Sequence, residues 1–330
     1  MTAPDLPGEL KAALDARLQG LSRHDAAERA SLISQTYRDG GGSSAIKSEA
    51  DALAYALARM PATYAAVSAS LNALCEIRTD FAPTGLLDVG AGPGTASWAA
   101  AESFPSLQSF ALLDANSALR ALALDLGRDS IRLSKMTYQH GEARAALADR
   151  EATDLVIASY MIGEISDAER TALAELMWAK TRDTLLIVEP GTSPGYRRII
   201  ALRRQLIAAG AHVAAPCPHD GECPLLAPDW CHFTQRLPRS RAHKHLKSAE
   251  LPYEDEKFSY VALTRAPAAR HLARVLARPV VTKVAVTARL CTDQGILNTI
   301  AARRQKAAYQ RFKKIDWGDA IFDADHNQAE

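Results

Sequence analysis

The chain has 330 residues, 48% of them apolar and 23% charged, with a net charge of +1 and five cysteines. That composition excludes a disordered or collagen-like chain, and the length allows a core that needs no disulfide support. No apolar run approaches the roughly 20 residues of a membrane-spanning helix, and the start, MTAPDLPGELKAALDARL, lacks the basic head and apolar stretch of a secretory signal.

The first 80 residues read as a helical cap. Leu10, Leu14, Leu18 and Leu21 recur at three- and four-residue spacing and so share one helix face. The run Asp39-Gly-Gly-Gly-Ser-Ser breaks that segment. A second helix is expected over 48–59, ended by Met60-Pro61, and a third runs to about Arg78. From Gly85 short apolar runs alternate with helical stretches. Strands are expected at 86–89, 110–114, 136–139, 154–159 and 184–189, with a helix at 196–209. This is the pattern of βαβ units and a parallel sheet. Two later strands are expected at 258–264 and 280–290, and a basic helix at 303–314. The expected division is a helical cap over 1–80, a Rossmann-like core over 81–210, and over 211–330 a cysteine-bearing loop, the last core strands and a basic end.

Charge is unevenly divided. Residues 1–165 carry 14 Lys and Arg against 20 Asp and Glu, and residues 166–330 carry 25 against 18. A basic second half points to a polyanion, or else to a solvated surface of that sign.

The clearest motif is Asp88-Val-Gly90-Ala-Gly92-Pro-Gly94-Thr, a strand-to-helix turn in which missing Cβ atoms let the main chain press against a ligand. Asp114 ends the next strand, where a carboxylate suits two ribose hydroxyls. A dinucleotide loop would read G-x-G-x-x-G. The version here resembles the S-adenosylmethionine (SAM) loop of Rossmann-like class I methyltransferases. That resemblance implies that Asp88, Gly90, Ala91, Gly92 and Gly94 face the methionine part, that Asp114 holds the ribose, and that Glu142 lies near the adenine. Ser159 then sits at the end of the fourth strand, where such enzymes place substrate-facing residues. No Asn/Asp-Pro-Pro-aromatic tetrad and no Pro-Cys nucleophile occupies that position. Tyr160 and Glu164 are the only placed catalytic candidates, for positioning or for taking a proton.

Cys217, Cys223 and Cys231 fall within fifteen residues of a proline-rich loop, and Cys291 follows 60 residues later. An odd cysteine count in a reducing compartment argues against a disulfide framework and for a metal site. Four thiolates suit a [4Fe–4S] cluster or tetrahedral zinc. His219 or His232 in place of one thiolate would favour zinc. Cys75 stands alone, with no role assigned. Downstream, Arg236, Arg239, Arg241, Lys244 and Lys247 lie in a twelve-residue run free of acids, a candidate for phosphate contact. Arg303, Arg304, Lys306, Arg311, Lys313 and Lys314 form a second basic stretch, in which Tyr309 and Phe312 would either stack bases or pack in the core.

Glu189-Pro-Gly-Thr, the APCPHDGECPL run, Asp229-Trp-Cys-His-Phe, the Arg-Ser-Arg-Ala-His-Lys stretch, Glu254-Asp-Glu-Lys-Phe-Ser-Tyr260 and Trp317-Gly-Asp319 together resemble the methyltransferase-like small-ribosomal-subunit family of bacteria and mitochondria. The likeness covers roughly 45–320. It implies an assembly factor that contacts small-subunit rRNA, binds SAM and carries an iron–sulfur cluster on Cys217, Cys223, Cys231 and Cys291. It leaves open a catalytically active rRNA methyltransferase, or a zinc-stabilised RNA-binding protein. With no arginine-rich leader visible, a bacterial cytoplasmic protein is expected, monomeric off the ribosome and without membrane contact.

Overall fold

The computed structural model describes residues 1–18, 22–38, 40–239, 243–244 and 250–323. Of the residues singled out from the sequence, Leu21, Asp39, Arg241 and Lys247 lie outside this set.

Helices α1 (Gly8–Leu18), α2 (Arg23–Arg38) and α3 (Glu49–Ile77) open the chain. Ser48 starts α3 with a capping box: its hydroxyl accepts the Asp51 N–H, and the Asp51 carboxylate accepts the Ser48 N–H. The expected break at Met60-Pro61 is absent. Pro61 lies inside one continuous 29-residue helix. The lost hydrogen bond is outweighed because α3 is buried on nearly every side. Burying side chains such as Leu57, Met60 and Tyr64 contributes about 1.5–3 kcal/mol each, against roughly 3 kcal/mol for an interior proline.

The core alternates β1 (Gly85–Val89), α4 (Thr95–Ser103), β2 (Ser109–Asp114), α5 (Ser117–Gly127), β3 (Thr137–His140), α6 (Ala143–Ala148), β4 (Thr153–Ser159), α7 (Asp167–Ala179), β5 (Thr181–Pro190) and α8 (Ser193–Ala208). It closes with β6 (His212–Ala215), β7 (Phe233–Pro238) and β8 (Tyr253–Thr264). The strand order is β3-β2-β1-β4-β5-β8-β6, with β7 paired to the free part of β8. Strands β1 to β5 pair in parallel, and β8 runs antiparallel between β5 and β6. This is the mostly parallel, Rossmann-like sheet expected from the sequence. Its order reverses between β1 and β4, which opens a crevice at the strands' C-terminal ends.

Both faces are covered. On one, an apolar cluster runs from Leu10, Leu57 and Tyr64 through Trp98 and Leu112 to Phe258. On the other, Leu87, Val156 and Ile187 pack against Leu173, Met177 and Leu202.

The chain ends in a second, antiparallel sheet: β9 (Ala273–Val275), β10 (Val280–Val281), β11 (Ala285–Thr292), β12 (Gly295–Ala302) and β13 (Ala320–Ile321), with α9 (Lys306–Lys314) across it. The single strand expected at 280–290 is two, because the Thr282 hydroxyl accepts the Val284 and Ala285 N–H groups and turns the chain. Phe312 packs against Ala273, Val275 and Leu290. Tyr309 is buried, with its hydroxyl donating to Thr282 O. Packing therefore takes up both rings.

Candidate functional site

The glycine loop joins β1 to α4 at the point where the sheet order reverses. Gly90, Gly92 and Gly94 all have left-handed φ, at +68°, +54° and +80°. At Gly90 a Cβ would also sit 2.6 Å from the Met161 side chain, so only glycine fits there. Ala91 N–H donates to Leu113 O and Tyr138 Oη to Gly92 O, which pins the loop to β2 and β3. The Asp114 carboxylate accepts the Gly92 and Asn116 N–H groups at 2.9 and 2.7 Å. Burial raises its pKa, and those two backbone donors partly offset the rise.

Below the loop lies a cavity of about 430 Å³, within the range of small-molecule sites. Gly90, Ala91, Gly92, Asp114, Glu142, Ser159, Tyr160 and Glu164 line it. Asp88 and Gly94 are not on its wall. Gly94 instead caps α4. Asp88 is 0% exposed and turns into the protein, accepting the N–H and hydroxyl of Ser97. Its other oxygen has no partner. Burial pushes its carboxyl up to about 7, against the Ser97 bonds that favour the charged form.

Tyr160 takes φ 56° at the end of β4, a conformation that costs a non-glycine residue about 1–2 kcal/mol. Its hydroxyl donates to Glu256 Oε1 on β8 at 2.9 Å. Burial, and then the Glu256 charge, lift its pKa well above the usual tyrosine range. Glu164 stands at the mouth of the cavity and accepts the Ser43 N–H at 2.9 Å. Surrounding protein raises its pKa, with the Ser43 bonds acting the other way.

Ser43 belongs to the 3-10 turn Gly42–Ala45 between α2 and α3. Asn116 Nδ2 donates to Ser43 O and Ile46 O, so this turn is tied down across the cavity. Tyr37, Tyr55 and Thr63 from the helical cap complete the wall, the two rings stacked 5.8 Å apart. No motif or spacing marks Tyr37, Ser43, Tyr55 or Thr63 as wall residues. The glycine run was legible only as a helix end, although Gly42 has φ +56° and a Cβ there would meet Glu164 Oε2 at 2.5 Å.

A second cavity, of about 30 Å³, lies between β8, α8 and the second sheet. Cys217, Cys223, Cys231 and Cys291 all line it, with Tyr196, Arg203, Tyr260 and Arg274. Three of these cysteines come from the loops around β6 and β7, and Cys291 comes from β11. The Tyr196 hydroxyl is 3.2 Å from Cys223 Sγ. Burial raises the Cys217 thiol pKa, although Arg203 opposes it. Burial, then the neighbouring thiols, raises that of Cys231 and pushes Cys291 up to about 12. Among the described residues no three His, Cys, Asp or Glu side chains are gathered so as to hold an ion. The thiols surround a space and do not meet at a point. His219 Nε2 lies 3.9 Å from Cys291 Sγ. The His232 ring stacks on Trp230 and meets Trp317 edge-on, away from the cavity wall. Cys75 packs at the edge of the main core.

The basic run after Cys231 has acids in space that it lacks in sequence. Arg236 makes two bonds to the Asp255 carboxylate, at 2.7 and 2.8 Å, and stacks on Tyr253. Arg239 bonds Glu254 at 3.3 Å. Lys244 is half-buried. A freer set of cations lies elsewhere: Lys283, Arg303, Lys306 and Lys313 line an open groove between β10, β12 and α9.

The family described as mitochondrial small ribosomal subunit Rsm22 matches residues 49–322. The human mitochondrial ribosome assembly protein METTL17 is 28% identical over 288 residues, which cover 82% of this chain and 62% of METTL17. The fission yeast Schizosaccharomyces pombe Rsm22-cox11 tandem protein 2, mitochondrial, is 24% identical over 81% of this chain and 42% of its own length. The chain thus spans less than two thirds of these relatives. Among solved structures, the magnesium protoporphyrin IX methyltransferase of Synechocystis with bound SAM is 11% identical, with a TM-score of 0.40, over 74% of this chain and 98% of that one. The expectation of a bacterial cytoplasmic protein is corrected here, because the matching family and both relatives are mitochondrial.

Proposed function

The chain belongs to the mitochondrial small ribosomal subunit Rsm22 family, and from that premise we propose that it is an assembly factor of the small ribosomal subunit that holds SAM without transferring its methyl group. The observation that carries this reading is the span of the family match, 49–322, which takes in the glycine loop, Asp114 and Glu142 of the first cavity and all four cysteines that line the second. The human relative is named a ribosome assembly protein.

In the first cavity, Asp114 would accept the ribose hydroxyls with the lone pairs its backbone donors leave free. The loop amides and Glu142 would flank the rest of the nucleoside. The two catalytic candidates are already engaged, Tyr160 with Glu256 and Glu164 with Ser43. Both are tied into the wall, which favours a holder over a proton-moving site. The left-handed backbone of Tyr160 keeps a second reading in view, that of an rRNA methyltransferase, since such strain gathers at working sites.

In the second cavity, Cys217, Cys223, Cys231 and Cys291 would hold a metal centre. Thiols arranged around a space suit a polynuclear cluster better than one zinc ion, whose four ligands must meet at about 2.3 Å. Such a centre would fasten loops distant in sequence. The exposed cations of the α9 groove would meet rRNA phosphates.

Calorimetry with SAM and the full chain tests the first part. Binding is expected, and Asp114→Asn is expected to weaken it about 10- to 100-fold, the worth of a charge-assisted hydrogen bond. Labelled SAM incubated with small-subunit rRNA is expected to leave the RNA unlabelled. Labelled RNA would replace the holder with the enzyme.

A further inference from the structure

Two arginines stand where the sequence offered no reason to look. Arg203 on α8 is 3% exposed and Arg274 on β9 is 1% exposed, and both line the four-cysteine cavity. Their partners are neutral. Arg203 donates to His219 O, and Arg274 donates to Pro216 O and Gly318 O. Each keeps one buried N–H group with no acceptor: Nε of Arg203 and one terminal nitrogen of Arg274. Among the described residues Glu76, on the last turn of α3, is an acid that feels the Arg274 charge, and the hydrogen bonds of both arginines go to backbone carbonyls. Two positive charges therefore sit almost wholly out of water, around a cavity whose thiols are neutral when protonated. A buried charge left uncompensated is strongly unfavourable.

We propose that Arg203 and Arg274 are the counter-charges of a dianionic four-thiolate centre, and that they set how tightly it is held and how readily it takes an electron. This rests on the reading of Cys217, Cys223, Cys231 and Cys291 as metal ligands. The charge matches: four thiolates bring four negative charges, and a [4Fe–4S] core or a zinc ion brings two positive ones. The net charge of minus two equals the charge of the two guanidiniums. Loading releases four thiol protons to solvent and forms four metal–sulfur bonds. Both guanidiniums line the cavity together with the four sulfurs, and hydrogen bonds to sulfur, together with net charge, are what tune such centres.

The test uses the full chain, purified without oxygen and loaded with sulfide and equal parts of iron(II) and iron(III), which together make a [4Fe–4S] core of charge plus two without a further oxidant, or with zinc alone. A chelator then competes for the metal. Arg203→Gln and Arg274→Gln are expected to lose metal about 10- to 100-fold faster than the wild type, the usual effect of removing a group that supports metal ligands. Arg203→Lys and Arg274→Lys, which keep the charge, are expected to recover most of the retention. In the iron form the Gln variants are expected to show a lower midpoint potential, because the extra negative charge of the reduced state loses its compensation. Unchanged retention and potential in the Gln variants would overturn the proposal while leaving the thiolate centre standing. A wild type that takes up neither iron nor zinc would remove the centre itself. If Arg274→Gln does not fold, Arg203→Gln decides, since it breaks only one carbonyl bond.

Discussion

Asp88 stands two residues before the first loop glycine and was legible as an acid belonging to the motif. Its direction was not, since a residue at a strand end can face the ligand or the following helix. Burial against Ser97 decides the matter. It also makes Asp88 a source of pH dependence. Its carboxyl is raised to about 7 in the fold, against about 3.9 in an unfolded chain. Between those values the folded state binds the proton more strongly, so stability falls as pH rises from about 4 to about 7 and levels off above. The decline is at most about 4 kcal/mol. Asp88→Asn keeps an acceptor for Ser97 and has no proton to lose. Its thermal stability relative to wild type is expected to improve progressively across that window. Parallel melting curves from pH 4 to 8 would place the ionisation elsewhere.

The elements that sequence periodicity located best are those whose pattern is set by one partner surface. Strands β1, β2, β4 and β5 are apolar runs between helices, and all appear within three residues of their expected bounds. The elements missed are those made by pairing. Strand β7 and the first half of β8 are polar and become strands by pairing with each other, Arg236 opposite Asp255. The 3-10 turn Gly42–Ala45 is a further case, because its role depends on Glu164 and Asn116, both more than 70 residues away. If this turn closes the cofactor cavity, Gly42→Ala should open it. Alanine at φ +56° costs about 1–2 kcal/mol, and its Cβ would crowd the Glu164 carboxylate that holds the turn. SAM affinity is expected to fall about tenfold with overall stability lowered by no more than that strain, a difference of about 1.4 kcal/mol in binding. Calorimetry beside a denaturant titration separates the two. Wild-type affinity in Gly42→Ala would show that the turn is only a connector.

At the scale of the whole chain, the charge asymmetry and the cysteine spacing were legible, and the surface that uses them was not. The basic excess of residues 166–330 is partly cancelled where β7 meets the acids of β8. It survives in the groove of Lys283, Arg303, Lys306 and Lys313. If that groove meets rRNA, Lys306→Gln and Lys313→Gln should weaken small-subunit association. Each should also flatten the plot of log affinity against log salt by about 0.7–0.9. A change in affinity with an unchanged salt slope would argue for a structural effect.

The groove is carried by the second sheet, whose own apolar core is small. That sheet is held to the rest mainly around the cysteine loop. Arg274 and His271 reach Pro216 O, Arg289 pairs with Asp229, and Trp317 donates to His232 O. Cys291 on β11 is the one cavity thiol the second sheet supplies. A metal centre would therefore bolt the basic surface to the parallel-sheet core. Without it, those polar bonds and the packing of Trp317, Ala320 and Phe322 against the main core would bear the contact. Cys291→Ser removes one ligand and little volume. It is expected to leave melting of the parallel sheet nearly unchanged, while hydrogen exchange quickens in β9 to β13 and in residues 216–232. Wild type treated with a chelator should give the same exchange pattern. Rapid exchange in Cys291→Ser that the chelated wild type does not share would mean that the sulfur stabilises the junction by packing, with no metal involved.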